Sequence, residues 1–330
     1  MAVTLSILDL APVHRHETVA DALAGSVHLA QRAVALGYRR VWYAEHRNMP
    51  RIASAATSVL IAHVAAQTAT IRLGAGGIML PNHAPLTIAE QFGTLATLHP
   101  GRIELGLGRA PGTDQATMRA LRRSPASAQS FPDDVRELQG YLGDVSTIPG
   151  IQAIPGAGTH VPLTILGSSL YGAQLAAAFG LPYAFASHFA PAALADAVTI
   201  YRDRFEPSDQ LDAPHVTVAV NVITAGDDAT AQQLLRGTAR QRVRLLFSRP
   251  GQKLTEEQAD LVLDDPAGRG AWDMLGCRAV GTPERVVEQL DELADATAAD
   301  ELILASCAPD RSAAVTTVES IARQRLASVG

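Results

Sequence analysis

Short apolar runs alternate along the chain with longer stretches in which apolar residues recur every three or four positions. The first pattern is typical of buried strands and the second of amphipathic helices. Strands are predicted over residues 4–8, 39–44, 71–80, 102–107, 163–166, 183–186, 216–222 and 301–305. Helices are predicted over residues 19–34, 53–67, 85–98, 131–142, 171–179, 191–205, 227–247, 283–293 and 313–327.

Eight strands that alternate with helices predict one α/β domain over residues 1–330, a parallel (β/α)8 TIM barrel. An open doubly wound sheet is the alternative, but the strand count and the length favour the barrel. Two stretches interrupt the alternation. Residues 140–162 are rich in Gly and Pro, and residues 248–281 are predicted to form a long insertion loop late in the chain. Loops of that length are usually functional or mobile, so the second is a candidate lid.

Composition narrows the class of protein. The 330 residues are 47% hydrophobic and 18% charged, with a net charge of −6. The apolar content excludes disorder, and the acidic balance argues against a nucleic-acid partner. The two cysteines, Cys277 and Cys307, make no disulfide framework, and the N-terminal residues lack a basic signal-peptide region, so a cytoplasmic location is expected.

One segment, residues 145–195, contains no Asp, Glu, Lys or Arg. A membrane helix needs about 20 consecutive, mainly apolar residues, and here Pro and Gly break the run repeatedly. We therefore predict buried strands and a buried helix in this segment, and no membrane partner.

The active site of a barrel lies at the C-terminal ends of its strands, and polar or glycine-rich segments follow the predicted strands here. His46 follows the second strand, where a histidine can act as a general base, a proton donor or a metal ligand. A structural hydrogen-bonded pair is the alternative. Gly74, Gly76 and Gly77 end the third strand and suggest a flat ligand against the main chain. A bulge that helps to close the barrel explains them equally well.

Two further strand ends point to a phosphate. Arg109 stands in a glycine-rich turn after the fourth strand, and its planar guanidinium matches phosphate oxygens, with a surface salt bridge as the alternative. Ser168 and Ser169 precede a predicted helix, whose N-terminus can bind an anion, although an ordinary N-cap needs only one serine. The glycines around Arg109 miss the dinucleotide fingerprint, and Pro111 stands where its helix would begin.

Other common chemistries lack their sequence signatures. The chain has no Walker A motif and no GxSxG nucleophile elbow. His14 and His16 are two residues apart, but no Cys, Asp or Glu pattern completes a zinc site, so no metal is predicted.

Five segments, in this order and spacing, resemble the bacterial luciferase-like, flavin-dependent monooxygenases, and the match extends over nearly the whole chain. The second to fourth are similar to a subgroup called luciferase-family oxidoreductase group 1. The segments are GYRRVWYAEHRN (37–48), IRLGAGGIMLPNHAPL (71–86), HPGRIELGLGRAPGTD (99–114), ILGSSLYGAQLAAAFGLPYAFASHF (165–189) and AVGTPERVVEQL (279–290). The resemblance implies a (β/α)8 barrel that binds FMN.

The resemblance also implies roles for individual residues. Gly76 and Gly77 align with a non-prolyl cis peptide under the isoalloxazine ring, and His46 aligns with the catalytic histidine near the flavin. The phosphate-binding positions of the family align with Arg109, Ser168, Ser169 and Gly172.

The chain departs from the family pattern in places. The usual Glu-His-His reads Glu45-His46-Arg47, which puts in doubt any role of the second histidine. The reactive cysteine of luciferase is Gly108 here, and Ser168 replaces an acidic residue of the luciferase α-subunit. Light emission is therefore not implied.

By resemblance, reduced FMN is a co-substrate that reacts with O2 to give a C4a-hydroperoxyflavin, which must be shielded from water. Residues 163–189 and 248–281 are the candidate shield, and His46 is expected to deliver or remove a proton. Because no nicotinamide motif is evident, a separate NAD(P)H:flavin reductase is predicted to supply the reduced FMN. The alternatives are a deazaflavin-dependent hydride-transfer enzyme and a non-catalytic flavin-binding protein.

Apolar and aromatic candidates for the substrate pocket suggest an apolar or aromatic small molecule. Members of the subgroup that the chain resembles occur in actinobacterial antibiotic clusters, and the Arg-rich composition, with Lys253 as the only lysine, fits such a source. Epoxidation or hydroxylation of the substrate in antibiotic (polyketide) biosynthesis is therefore expected, with a long-chain aldehyde as the alternative substrate. The family often dimerises, so a homodimer is expected. The pocket candidates are Trp42, Tyr43, Met79, Tyr171, Phe185, His188 and Phe189.

Overall fold

A computed structural model of the chain describes residues 3–110, 112–248 and 254–329, with residues 328 and 329 described by their backbone alone. Eight of the strands form a closed parallel barrel, because β6 pairs with β7 and β9 pairs with both β7 and β1. The predicted barrel is confirmed. The strands are β1 (Thr4–Asp9), β2 (Arg40–Tyr43), β3 (Arg72–Met79), β4 (Ile103–Gly108), β5 (Leu163–Gly167), β6 (Tyr183–Phe185), β7 (Val216–Thr224), β8 (Arg278–Gly281) and β9 (Glu301–Ser306).

Helices pack around the barrel, and within the described ranges no helix is long and apolar enough to cross a bilayer. Short 3₁₀ turns occupy Leu80–Asn82, Pro125–Ala128, Pro191–Ala193 and Pro266–Gly268. The α-helices are α1 (Val19–Ala35), α2 (Thr57–Ala65), α3 (Pro85–Leu98), α4 (Gln115–Ala120), α5 (Phe131–Leu142), α6 (Leu170–Ala178), α7 (Leu194–Asp203), α8 (Asp228–Phe247), α9 (Glu256–Asp264), α10 (Arg269–Asp273), α11 (Pro283–Thr297) and α12 (Arg311–Val329).

Helix boundaries follow capping chemistry. Thr18 begins α1 with a capping box, in which its hydroxyl accepts the Asp21 N–H at 3.1 Å and the Asp21 carboxylate accepts the Thr18 N–H at 2.8 Å. Asp227 is the N-cap residue of α8, and its carboxylate accepts the Thr230 N–H at 2.8 Å. The helix α2 starts four residues after its predicted start at residue 53, because the Ala53 N–H pairs with the Ala11 carbonyl and holds this stretch extended.

The segment 248–281 is not the predicted loop. Its described part contains α9, α10 and β8, and β8 pairs with the second half of β7 outside the barrel closure. These elements pack with α8 around a separate apolar core that includes Leu235, Val243, Leu263 and Leu275. The prediction was wrong because each helix is short and buries only one or two side chains, too few to show a helical period. Residues 249–253 of the predicted loop, like Pro111, lie outside the described residues.

A buried ion cluster fills the N-terminal end of the barrel. The Arg40 guanidinium lies 2.6 Å from a Glu104 carboxylate oxygen and donates to Glu301 from Nε at 2.8 Å. The Ser6 hydroxyl also donates to Glu301, and His215 Nε2 lies 3.6 Å from the same carboxylate. Burial opposes ionisation of Glu301, but His215 and Arg40 outweigh it and lower its pKa to about 2. Paired charges close this end of the barrel, which leaves the C-terminal end, where barrel active sites lie, for a ligand.

Candidate active site at the barrel mouth

The mouth of the barrel, defined here as the C-terminal ends of the eight barrel strands and the segments that follow them, collects most of the predicted site residues. His46 follows β2, and Gly76 and Gly77 lie in β3. Arg109 follows β4 directly, and Ser168 follows β5. Because all strands are parallel, these residues share one end of the molecule.

The Gly76–Gly77 peptide bond is cis, as the resemblance implied. The register between β3 and β4 shifts at the same place, between Ala75 and Ile78, so the bulge suggested by the glycine pattern is also present. A Cβ on Gly76 would lie 2.8 Å from the Trp42 Cβ, and one on Gly77 would lie 2.7 Å from a backbone carbonyl oxygen of β4. Glycine is therefore required at both positions for β3 to pack closely against its neighbours.

A cation and a helix N-terminus lie together beside the mouth. The guanidinium carbon of the exposed Arg109 stands 4.1 Å from the centre of the Tyr171 ring, in the first turn of α6. Ser169 is the N-cap residue of α6, but its side chain makes no capping hydrogen bond. The helix N–H groups are thus left for another acceptor. A cation beside free N–H groups and two serine hydroxyls suits a phosphate.

Two features adjoin this cluster. A Cβ on Gly172 would lie 3.3 Å from the Tyr183 ring, so Gly172 allows α6 to pack closely on β6. A cavity of about 290 Å³ extends from Arg109 along Pro81, Thr113 and Met118.

Glu45, which the sequence did not single out, anchors the segment that carries His46. Its side chain is 1% exposed and accepts hydrogen bonds from the Met79 N–H at 3.1 Å, His83 Nε2 at 2.9 Å and Arg47 Nε at 2.9 Å. Burial would raise the pKa of Glu45, but the contacts with His83, Met79 and Arg47 outweigh it and lower the pKa. Arg47, which replaces the second histidine of the family pattern, therefore pairs with Glu45.

His46 is half-buried and hydrogen-bonds to the backbone carbonyl of Gly112. Its Nδ1 is buried and has no hydrogen-bond partner within the described residues. Burial lowers the pKa of His46, and the charge of Arg242 lowers it further, while Gly112 and Glu45 oppose the change. The imidazole is neutral at pH 7 and can accept a proton at Nδ1.

His188, after β6, is a second neutral imidazole at the mouth. Burial, the charge of Arg242 and the nearby His46 lower its pKa to about 4. Its Nδ1 also lacks a partner in the described part of the chain, and its backbone carbonyl accepts a hydrogen bond from the Asn221 amide. Cys307 follows β9, and burial raises its pKa to about 12 although Arg242 acts in the opposite direction. The positive charge of Arg242 therefore acts on residues that follow three strands, β2, β6 and β9.

The remaining pocket candidates divide into two groups. Trp42 is buried inside the barrel, where its indole Nε1 donates to Glu104 at 3.1 Å, so it forms the floor of the mouth. Met79 lies against Gly108 and Gly112, and the exposed Phe189 ring packs edge-on against His188 at 5.0 Å.

Two pocket candidates, Tyr43 and Phe185, do not line the mouth. Both are fully buried in the layer between the strands and the helices. Because side chains alternate along a strand, Trp42 points inward and its neighbour Tyr43 points outward. The same alternation turns Phe185 away from the barrel interior while Ala184 faces it. The prediction failed because β6 has no charged side chain and the one charged residue of β2, Arg40, lies on the same inward face as Trp42, so polarity did not mark the outer face.

Sequence reasoning missed three contributors to the site: Glu45, His83 and Arg242. His83 follows β3, so the rule that located His46 also applied to it. Arg242 lies in the middle of α8, in the arginine-rich stretch RGTARQRVR, where no local pattern distinguishes it from its neighbours. Across the described ranges, no group of three or more His, Cys, Asp and Glu side chains is placed to hold a metal ion.

The comparisons with known proteins match nearly the whole length of the chain. A family model described as luciferase-like monooxygenase matches residues 2–300. A luciferase-like monooxygenase of Escherichia coli strain K12 is 46% identical over 304 residues, which cover 92% of this chain and 91% of that protein. The crystal structure of apo-MsnO8 is 32% identical and covers 98% of this chain and 97% of that one, with a TM-score of 0.87.

A more distant structure shows the same fold. It is the oxygenating constituent of 3,6-diketocamphane monooxygenase from Pseudomonas putida in complex with FMN. Its TM-score is 0.72 at 18% identity, and the match covers 98% of each chain.

Proposed function

The chain belongs to the luciferase-like monooxygenase family, and we propose that it uses reduced FMN and O2 to oxygenate an apolar or aromatic organic substrate. The observation that carries this proposal is the placement, at one barrel mouth, of a phosphate-fitting cluster and a neutral imidazole whose Nδ1 has no described partner. The cluster consists of Arg109 and the uncapped N-terminus of α6. The imidazole is that of His46.

These residues fit FMN in two respects. Arg109, the hydroxyls of Ser168 and Ser169, and the first N–H groups of α6 would hold the phosphate. The backbone at Gly76 and Gly77 would lie against the flat ring system. When bound in its reduced form, FMN supplies the electrons that activate O2.

The protein's own groups have three tasks. His46 would accept or return a proton at Nδ1, the ring nitrogen that has no described partner. Glu45 holds the His46 segment against β3 through its bonds to Met79 and His83. Trp42 and Phe189, at the floor and the rim, would exclude water from the reacting centre.

We also propose that a separate flavin reductase supplies the reduced FMN, that the chain acts as a homodimer, and that a tailoring step on an aromatic polyketide is one biological role. The isolated chain should therefore not oxidise NADH or NADPH at the rate of substrate turnover. A matching rate, measured by the loss of absorbance at 340 nm, would contradict the need for a separate reductase.

The function is tested by comparing photoreduced FMN with a reduced deazaflavin. Each is titrated anaerobically into the protein, and ¹⁸O₂ is then admitted with a panel of aromatic compounds and long-chain aldehydes. We expect reduced FMN to bind and ¹⁸O to appear in a product by mass spectrometry. Turnover with the deazaflavin alone, without O2 uptake, would instead identify a hydride-transfer enzyme.

The role of His46 is tested with His46→Gln. This variant should bind FMN as the wild type does and lose product formation, whereas the exposed His63→Gln on α2 serves as the control. Because the pKa of His46 is lowered, wild-type turnover should persist below pH 6.5 and fall only when Nδ1 becomes protonated. Full turnover by His46→Gln would refute this role.

A further inference from the structure

The helix α8 carries four arginines over about two turns, and three of them have partners in the segment that follows. Arg236 and Arg240 both pair with Asp260 at 2.8 Å, and Arg244 Nε donates to the Leu254 carbonyl at 3.1 Å. Arg242 has no such partner among the described residues. Its Nε is buried and makes no hydrogen bond to any described residue, which is an unfavourable state for an ionised donor unless a ligand completes it.

The position of Arg242 is fixed by the packing of α8. Thr238, one turn earlier on the same face, donates its hydroxyl to the Cys307 carbonyl at 2.5 Å, which brings this face to the end of β9. The adjacent Val243 is buried in the core of α8, α9 and α10. The Arg242 charge acts on His46, His188 and Cys307, so the guanidinium lies within reach of the ends of β2, β6 and β9.

Resting on the proposed function, we propose that Arg242 binds a carboxylate of the substrate at the barrel mouth, so that the enzyme selects organic acids with an apolar body. The guanidinium matches a carboxylate in charge and in planar geometry. Phe189, whose ring packs edge-on against His188, supplies apolar surface at the same strand end. Among the described residues Arg242 forms no ion pair, whereas its neighbours Arg236 and Arg240 pair with Asp260.

The proposed carboxylate subsite at Arg242 lies apart from the phosphate-fitting cluster. Arg109 and Ser168 follow β4 and β5, whereas Arg242 acts at the ends of β9, β6 and β2. Thr238 fixes this face of α8 at the end of β9, which lies across the barrel from β4, although β6 is the neighbour of β5. A flavin phosphate held by Arg109 therefore leaves Arg242 for a second anion.

The test measures binding apart from turnover. A series of ω-phenylalkanoates of increasing chain length, each paired with its methyl ester, is titrated calorimetrically into the protein with oxidised FMN present. At least one acid should bind about tenfold or more tightly than its ester, because only the acid carries the charge that Arg242 complements. Arg242→Gln should abolish this preference, and Arg242→Lys should keep part of it.

Two controls make the result specific. Arg323→Gln removes the same charge from an exposed site on α12 and should leave the preference for acids unchanged. Arg242→Gln should bind FMN as the wild type does, and its circular dichroism melting curve reports whether it folds. If Arg242→Gln does not fold, the preference for acids is measured in Arg242→Lys instead, where it should be partly lost.

The inference is overturned if no acid binds more tightly than its ester, if the preference survives in Arg242→Gln, or if FMN affinity falls in parallel with it. The last result would assign Arg242 to the flavin. None of these outcomes depends on oxygen transfer, so a failure of the proposed monooxygenase activity is recognised separately, by the ¹⁸O experiment.

Discussion

Replacing Glu301 by glutamine removes the carboxylate at the centre of the ion cluster that closes the N-terminal end of the barrel. Glu301 is buried. Its carboxylate accepts hydrogen bonds from Arg40 and Ser6, and His215 Nε2 lies 3.6 Å away. In Glu301→Gln, Arg40 keeps Glu104 as its only buried carboxylate partner among the described residues. The substitution therefore leaves a buried guanidinium incompletely paired, which is among the most destabilising changes available to a protein.

The magnitude follows from the pKa of Glu301. Burial raises this pKa, but His215, Arg40 and Ser6 lower it from 4.5 to about 2. One unit of pKa corresponds to about 1.4 kcal/mol, so the ionised carboxylate contributes about 3 kcal/mol to the free energy of unfolding. Because the folded-state pKa is the lower one, this contribution is complete above pH 4.5 and is lost as the pH falls towards 2.

Urea unfolding followed by circular dichroism tests the prediction at pH 7 and at intervals down to pH 3. Glu301→Gln should lower the free energy of unfolding at pH 7 by about 3–5 kcal/mol, the usual cost of breaking a buried ion pair. Its stability should then fall less steeply with acidification than that of the wild type. Glu292→Gln, on the exposed face of α11, is the control. Equal pH dependence in Glu301→Gln and the wild type would refute the reasoning.

Three further outcomes are expected. Gly77→Ala places a Cβ 2.7 Å from the Gly106 carbonyl oxygen and should lower the free energy of unfolding by about 1–3 kcal/mol. The control Gly237→Ala, which adds its Cβ in open space on α8, should not lower it. Equal melting curves for the two variants would contradict this prediction. Arg109→Gln should weaken FMN binding about tenfold, measured by flavin fluorescence, and leave riboflavin binding unchanged because riboflavin has no phosphate. Burial of the thiol of Cys307, a residue of intermediate exposure, raises its pKa to about 12. Iodoacetamide should therefore modify it at pH 8 far more slowly than a free thiol, as followed by peptide mass spectrometry, and a free-thiol rate would refute the raised pKa.

The sequence predicted the barrel because parallel strands buried on both faces appear as short, uniformly apolar runs. The same uniformity hid the orientation of individual side chains. Trp42 and Tyr43 are adjacent and equally apolar, yet one faces the barrel interior and the other faces the helices. The strand-end rule located His46 and Arg109, whose placement depends only on where a strand stops.

Residues that act through distant partners left no local signal. Arg40, Glu104 and Glu301 are far apart in the sequence, and only closure of the barrel brings them into contact. Arg242 resembles its neighbours Arg240 and Arg244 in sequence, and it differs from them only in what the folded chain places beside each. Such residues become visible only once the tertiary contacts are known.

The separate core that joins α8, α9 and α10 has a consequence for how this protein can change. Its apolar side chains form a cluster distinct from the barrel layer, so substitutions there can accumulate while the eight strands keep most of their packing. Arg242 reaches the mouth from the inner face of this unit. Exchanging the unit between relatives would therefore alter the proposed carboxylate subsite while β3, β4 and β5, which carry the cis peptide and the phosphate-fitting cluster, stay intact.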